Sequence, residues 1–197
     1  VTRYEGQRWR LDLPRPALLG AHQIGNAGTA IACLEQLEGF SLSPAALAAG
    51  LRHIEWPARL QRLTRGPLVA LLPRGWELWL DGGHNPAAGA VIAEAAGAWR
   101  DGPLYLVVGM LNTKDAGGFL APVARFTSHL YAVTIPGEEN PHPAAQIAEA
   151  AGSVNIKAEV AASVEAALRA IVERDGPGRI LICGSLHLAG VVLARNG

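Results

Sequence analysis

After Asp81, uninterrupted apolar blocks alternate with alanine-rich blocks of helical character. "PLYLVVGM" (103–110), "HLYAVTI" (129–135), residues 156–160 and "RILICG" (179–184) read as strands. Between them, residues 86–100, a stretch near 115–125, residues 143–151 and Ser163–Arg174 read as helices, and a last helix follows residue 184. Strands without a polar face must be covered on both sides, so this pattern predicts an α/β fold with a mostly parallel sheet between helices. Ahead of it, "RLQRLT" (59–64), "LVALLP" (68–73) and "WELWLD" (76–81) read as short strands separated by turn signals at Gly66-Pro67 and Arg74-Gly75.

The first third of the chain differs. "QRWRLDL" (7–13) alternates as a strand does, and "LLGAHQIGNAGTAIACLEQLEG" (18–39) passes from a glycine-rich turn into a helix ending near Gly39. "SLSPAALAAGLRHIEWP" (41–57) opens a helix with Ser43 as cap and Pro44 as first residue, and stops at Pro57. A junction after residue 62 therefore separates a helical remnant from an α/β domain of about 135 residues, an ordinary domain size.

Composition narrows the classes. Half of the 197 residues are hydrophobic, enough for a sizeable core, and the net charge is zero with no basic block, which argues against a nucleic-acid surface. No apolar run reaches the roughly 18 residues that span a bilayer, and no charged-then-apolar leader is seen, so a soluble chain away from membranes is expected. Cys33 and Cys183 form neither a disulfide framework nor a metal-ligand spacing, which suits a reducing, cytoplasmic setting. The chain starts at Val1 within a strand-like pattern, as a piece of a longer protein would.

In open α/β sheets, ligands bind beyond the carboxyl ends of the strands. Those ends read "DGGHNP" (81–86), "GMLNTKD" (109–115), "PGEENPH" (136–142) and "CGSLHLAG" (183–190), each joining glycine to polar or ionisable residues. In the first, Asp81 ends the strand and Gly82-Gly83 turn the backbone. Asn85 and Pro86 are the cap and first residue of the next helix, whose free N–H groups lie beside His84 and favour an anion by about 0.3–1 kcal/mol. A capped turn accounts for Asn85 and Pro86 but leaves Asp81 and His84 unexplained, so these two are functional candidates. Ser185 either caps the last helix or holds a carboxylate there. Lys114 is a candidate for an anionic substrate against the default of a solvated lysine. His22 and Asn26 read as residues of a turn before a helix, Arg59 as a surface arginine, and His53, His129, His142 and His187 match no metal spacing. There is no G-x-x-x-x-G-K-[ST] phosphate loop and no G-x-G-x-x-G after a strand, which weakens a dinucleotide oxidoreductase.

Five segments in order, "LLGAHQIGNAGTAIA" (18–32), "WPARLQ" (56–61), "LDGGHNPAA" (80–88), "VVGMLNTKD" (107–115) and "CGSLHLAG" (183–190), resemble the folylpolyglutamate synthase/dihydrofolate synthase family, relatives of the Mur ligases. The resemblance implies an ATP-dependent amide ligase with an N-terminal ATPase domain and a Rossmann-like C-terminal domain. Residues 1–62 then correspond to the end of the first domain and 63–197 to the second. It implies ATP contacts at Asn26, Arg59 and Asp81 across the domain cleft, and contacts to the incoming L-glutamate at His84 and Ser185. Dihydropteroate or folate is the implied acceptor, activated as an acyl phosphate. ATP and Mg2+ are the implied cofactors, with no metal ligand and no certain catalytic residue in this chain. The magnesium ligands belong to the missing N-terminal ATPase domain, which is the implied partner of an otherwise monomeric protein.

The sequence departs from the family at Ala58, where glycine is frequent, at Gln61, where glutamate is common, at Thr113, where aspartate is frequent, and at Gly83, where alanine is usual. The alternatives are a Mur-type amino-acid ligase of cell-wall synthesis, against which "HQ" at 22–23 and "GSLHLAG" argue, and a non-catalytic nucleotide-binding module.

Overall fold

Residues 1–99 and 102–196 are described by a computed structural model, in which the chain divides into two compact units, Val1–Pro57 and Ala58–Gly197. In the first, strands β1 (Thr2–Glu5) and β2 (Arg10–Leu13) pair antiparallel, with Thr2 opposite Leu13. Helices α1 (His22–Glu35) and α2 (Pro44–Arg52) follow, and Leu13, Ile31 and Leu47 form a small core. The expected cap is in place: Ser43 Oγ accepts the Ala46 N–H at 3.1 Å, ahead of Pro44.

Helix α1 differs from expectation at both ends. His22 and Asn26 are helical instead of lying in a preceding turn, and Asn26 Nδ2 donates to Gln23 Oε1 one turn back at 3.0 Å. The helix also stops at Glu35, short of Gly39. There the Glu35 carboxylate accepts the N–H groups of Gln7, Arg8 and Trp9 at 3.1, 2.6 and 2.5 Å and the Tyr4 hydroxyl at 3.1 Å. A helix-ending carboxylate thus fastens the β1–β2 turn, which explains why the hairpin is tight although only Gly6 marks it. Burial works to raise the pKa of Glu35, but these hydrogen bonds prevail and lower it.

The second unit is a six-stranded sheet in the order β3-β4-β8-β5-β6-β7, formed by β3 (Gln61–Leu63), β4 (Glu77–Leu80), β5 (Leu104–Val108), β6 (Thr127–Ala132), β7 (Ala158–Val160) and β8 (Arg179–Cys183). Edge strand β3 is antiparallel to β4, and the remaining pairs are parallel. Helices α4 (Pro86–Ala98), α5 (Ala116–Leu120) and α6 (Ala144–Ser153) pack with Leu106, Val108, Leu130 and Leu181 on one face. Helices α3 (Pro67–Ala70), α7 (Val164–Arg174) and α8 (Leu186–Asn196) pack with Tyr105, Val107, Tyr131 and Ile182 on the other. Alternate residues of apolar strands thus serve two cores, which is the covered-sheet architecture the pattern predicted.

Three details depart from the sequence reading. "LVALLP" is not a strand: Pro67 starts the single turn of α3, and buried Asn196 accepts the Leu68 N–H at 3.0 Å while donating to Arg65 O at 2.8 Å. A short apolar run fits strand or buried helix equally by period, and the contact to α8 decides. The stretch near 115–125 is α5 followed by a 3-10 turn (Ala121–Phe126), because Pro122 interrupts the α-helical ladder. The expected junction after residue 62 falls inside the second unit, where Gln61 pairs with Leu80 and the Gly82 N–H donates to Ala58 O. Of the helix expected over 86–100, residue 100 lies outside the described residues. No helix among those described is long and apolar enough to cross a membrane.

Candidate functional site

Strand β8 lies between β4 and β5, yet the chain leaving β4 and β5 enters helices on one face while the chain leaving β8 enters α8 on the other. Diverging connections mark the carboxyl end of β8 as the switch point, the place at which α/β sheets bind ligands. Backbone bonds continue the rim past the strands: Asp81 N to Ile182 O at 3.0 Å, Gly109 N to Cys183 O at 3.2 Å and Gly184 N to Gly83 O at 3.0 Å. Gly184 has φ +104°, and a Cβ there would stand 2.7 Å from Gly109 O, so the rim closes only around glycine.

Asp81 is buried on this rim, and both of its oxygens are engaged. Oδ1 accepts the Gly83 N–H at 2.6 Å and Oδ2 the Leu60 N–H at 2.8 Å. The carboxylate therefore ties the segment 58–60 to the β4–α4 loop. That segment is strained, with Ala58 at φ 57° and Leu60 at φ 44°. This accounts for two departures from the family pattern. Glycine fits the φ of residue 58 without strain, and Gln61, whose Oε1 accepts the Ala58 N–H at 2.9 Å, offers the same acceptor as a glutamate would.

Arg59, half-buried, follows from the same strap. Its Nη1 donates to Ala58 O at 3.3 Å and stands 3.2 Å from where a Cβ on Gly82 would sit. The same Cβ would collide with Leu186 at the start of α8, so Gly82 lets Arg59 and α8 approach one peptide from two sides. His84 is half-buried, and its Nδ1 lies 2.9 Å from Gly82 O. A carbonyl only accepts, so Nδ1 carries the hydrogen and Nε2 remains an acceptor when the ring is neutral. Asn85 and Pro86 form a capped turn, with Asn85 Oδ1 accepting the Ala88 N–H at 2.9 Å.

Ser185 caps α8, its buried Oγ accepting the His187 N–H at 3.0 Å, which leaves the hydroxyl hydrogen to donate. Arg59, Asp81, His84 and Ser185 are thus brought to one rim, whereas Asn26 belongs to the first unit. Lys114 is half-buried in the turn before α5. Cys183, beneath the rim, is a core thiol whose pKa is pushed well up, by burial first and the Asp81 carboxylate second.

One pair on this rim escaped sequence reasoning. His187 Nδ1 lies 2.7 Å from Glu138 Oε2, joining the first turn of α8 to the loop after β6. The two residues are far apart in sequence, and only the placement of β5 between β6 and β8 brings them together. No group of three His, Cys, Asp or Glu side chains suited to a metal ion occurs among the described residues. The donor set present does not fit the magnesium that the resemblance implies.

Residues 61–186 match the family described as Mur ligase, glutamate ligase domain. The chain is 33% identical over 193 residues to a probable bifunctional folylpolyglutamate synthase/dihydropteroate synthase of Halobacterium salinarum, covering 96% of this chain and 22% of that protein. A bifunctional folylpolyglutamate synthase/dihydrofolate synthase of Yersinia pestis, solved with AMPPNP and a manganese ion, superposes with a TM-score of 0.74 at 29% identity, over 95% of this chain and 42% of that one. A structure of an enzyme of the same name with manganese, AMPPNP and L-glutamate gives 0.75 at 29% identity, with the same coverage of both chains. The chain therefore spans from about a fifth to two fifths of the length of these relatives. The match over residues 61–186 covers more than half of the chain, and the parallel sheet with its glycine-lined rim agrees with it: the chain belongs to the Mur ligase family, by its glutamate ligase domain.

Proposed function

We propose that this chain is the amino-acid-binding part of an ATP-dependent ligase that joins L-glutamate to dihydropteroate, to folates, or to both. The observation that carries the reading is the convergence of Arg59, the Asp81–His84 loop and the Ser185 cap on the switch point of one sheet. In the proposed reaction the acceptor carboxylate attacks the γ-phosphorus of ATP and ADP leaves. The amine of glutamate then attacks the acyl phosphate, forming the amide and releasing phosphate.

Each residue has a part suited to its surroundings. The Arg59 guanidinium, with its fork of donors, suits phosphate oxygens. Asp81 retains a lone pair on each oxygen for a ribose or base donor, and it also holds the strap that carries Arg59. Asn26 is the third proposed ATP contact. His84 and Ser185 flank the free N–H groups at the helix starts, where the carboxylates of glutamate are electrostatically favoured. The first compact unit is assigned to the end of the ATPase domain and the second to the ligase domain, and Mg2+ to ligands outside this chain. A monomer in a reducing cytoplasm is the setting proposed, in keeping with two free cysteines.

The test is ADP release by the whole protein that carries this chain, with glutamate and either dihydropteroate or folate. His84→Ala and Ser185→Ala are expected to raise the KM for glutamate at least tenfold while leaving the KM for ATP within twofold. If glutamate kinetics in both variants match the wild type, the assignment of these two residues is wrong.

A further inference from the structure

The Glu138–His187 pair has a chemistry distinct from that of the residues around it. Its Nδ1–Oε2 separation of 2.7 Å is that of a close ion pair when the ring is protonated. Glu138 is largely shielded, its side chain 16% exposed, whereas His187 is 59% exposed. A shielded carboxylate thus lies against an exposed imidazole, and the backbone N–H of His187 is fixed by Ser185 Oγ. A carboxylate beside Nδ1 favours the neutral tautomer with its hydrogen there and its lone pair on Nε2, on a largely exposed side chain.

His84 provides the contrast. Its Nδ1 faces the neutral carbonyl of Gly82, which orients the ring but does little for an imidazolium. Glu138 instead places a carboxylate against Nδ1, the arrangement of a carboxylate behind a catalytic imidazole. The other ionisable groups of this rim are engaged or differently placed. Asp81 is bonded to backbone, His142 Nδ1 lies 3.1 Å from Gln146 Oε1, Glu139 is exposed in the loop beside Glu138, and Lys114 lies in the turn after β5.

A free amino acid is an ammonium ion near neutral pH and cannot attack an acyl phosphate until it loses a proton. We propose that His187, oriented by Glu138, accepts this proton from the incoming amino acid, an assignment that rests on the ligase reading above. The ammonium proton moves to Nε2, and the nitrogen lone pair then forms the C–N bond. The C–O bond to phosphate breaks with its electron pair going to phosphate, which takes the second nitrogen proton as it leaves. His187 returns its proton to solvent. Glu138 acts through His187 and is a positioning residue.

The experiment compares two nucleophiles in the whole protein that carries this chain: L-glutamate, and hydroxylamine, which is already unprotonated at neutral pH. Positioned proton transfer contributes about 10²–10⁴-fold, so His187→Ala is expected to lower the ratio of glutamate ligation to hydroxamate formation about 100-fold. Glu138→Gln is expected to lower the same ratio about tenfold through kcat, with little change in the KM for glutamate. Raising the pH, which deprotonates the amine in solution, should restore much of the glutamate rate in His187→Ala. Equal losses with both nucleophiles, or none with either, overturn the proposal. If the wild-type protein with ATP and dihydropteroate or folate forms no hydroxamate, the ligase reading itself fails and takes this assignment with it.

Discussion

Asp81 shows how one side chain serves the fold and the proposed site together. Its two oxygens accept two backbone N–H groups, at Leu60 and Gly83. Leaving a buried donor unsatisfied costs about 1–3 kcal/mol. Asp81→Ala is therefore expected to destabilise the second unit by about 2–4 kcal/mol in urea unfolding, and Asp81→Asn, which keeps one acceptor, by less. Arg59→Ala removes only one bond of 3.3 Å at a half-buried position and should cost under about 1 kcal/mol. Arg59→Ala is thus the cleaner probe of nucleotide use. A fully stable Asp81→Ala protein would show that the strap over residues 58–60 is held by something else.

At the scale of elements, β6, β7 and α7 are fastened at the edge opposite the rim by a cluster of ionisable groups. His129 Nε2 lies 3.1 Å from Glu159 Oε1 without hydrogen-bond geometry, and Arg174 donates to the same oxygen at 2.5 Å. Burial, and then the Arg174 charge, push the His129 pKa below the ordinary 6.5, although Glu159 opposes this. The folded protein then binds fewer protons than the unfolded chain just below pH 6.5, so stability falls as pH drops through that value. Glu159 is lowered chiefly by the Arg174 hydrogen bond. For Glu77, burial works to raise the pKa, but bonds from Trp79 and Arg179 outweigh it and lower it too. Both carboxylates add stability that is lost only below about pH 4.5. Thermal unfolding should show Tm falling in two stages on acidification, and His129→Gln should flatten the stage between pH 7 and 5. An unchanged slope in that variant would place the pH sensitivity elsewhere.

For the whole molecule, the proposed chemistry needs more than this chain holds. No phosphate loop occurs in the sequence, and no metal-ligating group of three occurs among the described residues. We expect the purified 197-residue chain to fold but to release no ADP above background from ATP, glutamate and dihydropteroate. Robust turnover by this chain alone would refute its reading as part of a larger ligase.

What the sequence by itself determined is whatever local chemistry decides. Unbroken apolar runs required a sheet covered on both faces. Ser43-Pro44, Asn85-Pro86 and Ser163 started helices because an acceptor side chain precedes free N–H groups. Strand ends were legible because glycine and ionisable residues interrupt the runs there, and the family was legible in five ordered motifs. The tertiary structure alone decided the rest. Insertion of β8 between β4 and β5 sets the switch point and joins Glu138 to His187. The Asp81 bond to Leu60 places Arg59 at the rim, and the Asn196 bond to Leu68, 128 positions away, turns an apparent strand into α3. A period or a cap is a property of neighbouring residues, whereas these contacts depend on which strands pair, and pairing is settled by the burial of the whole core.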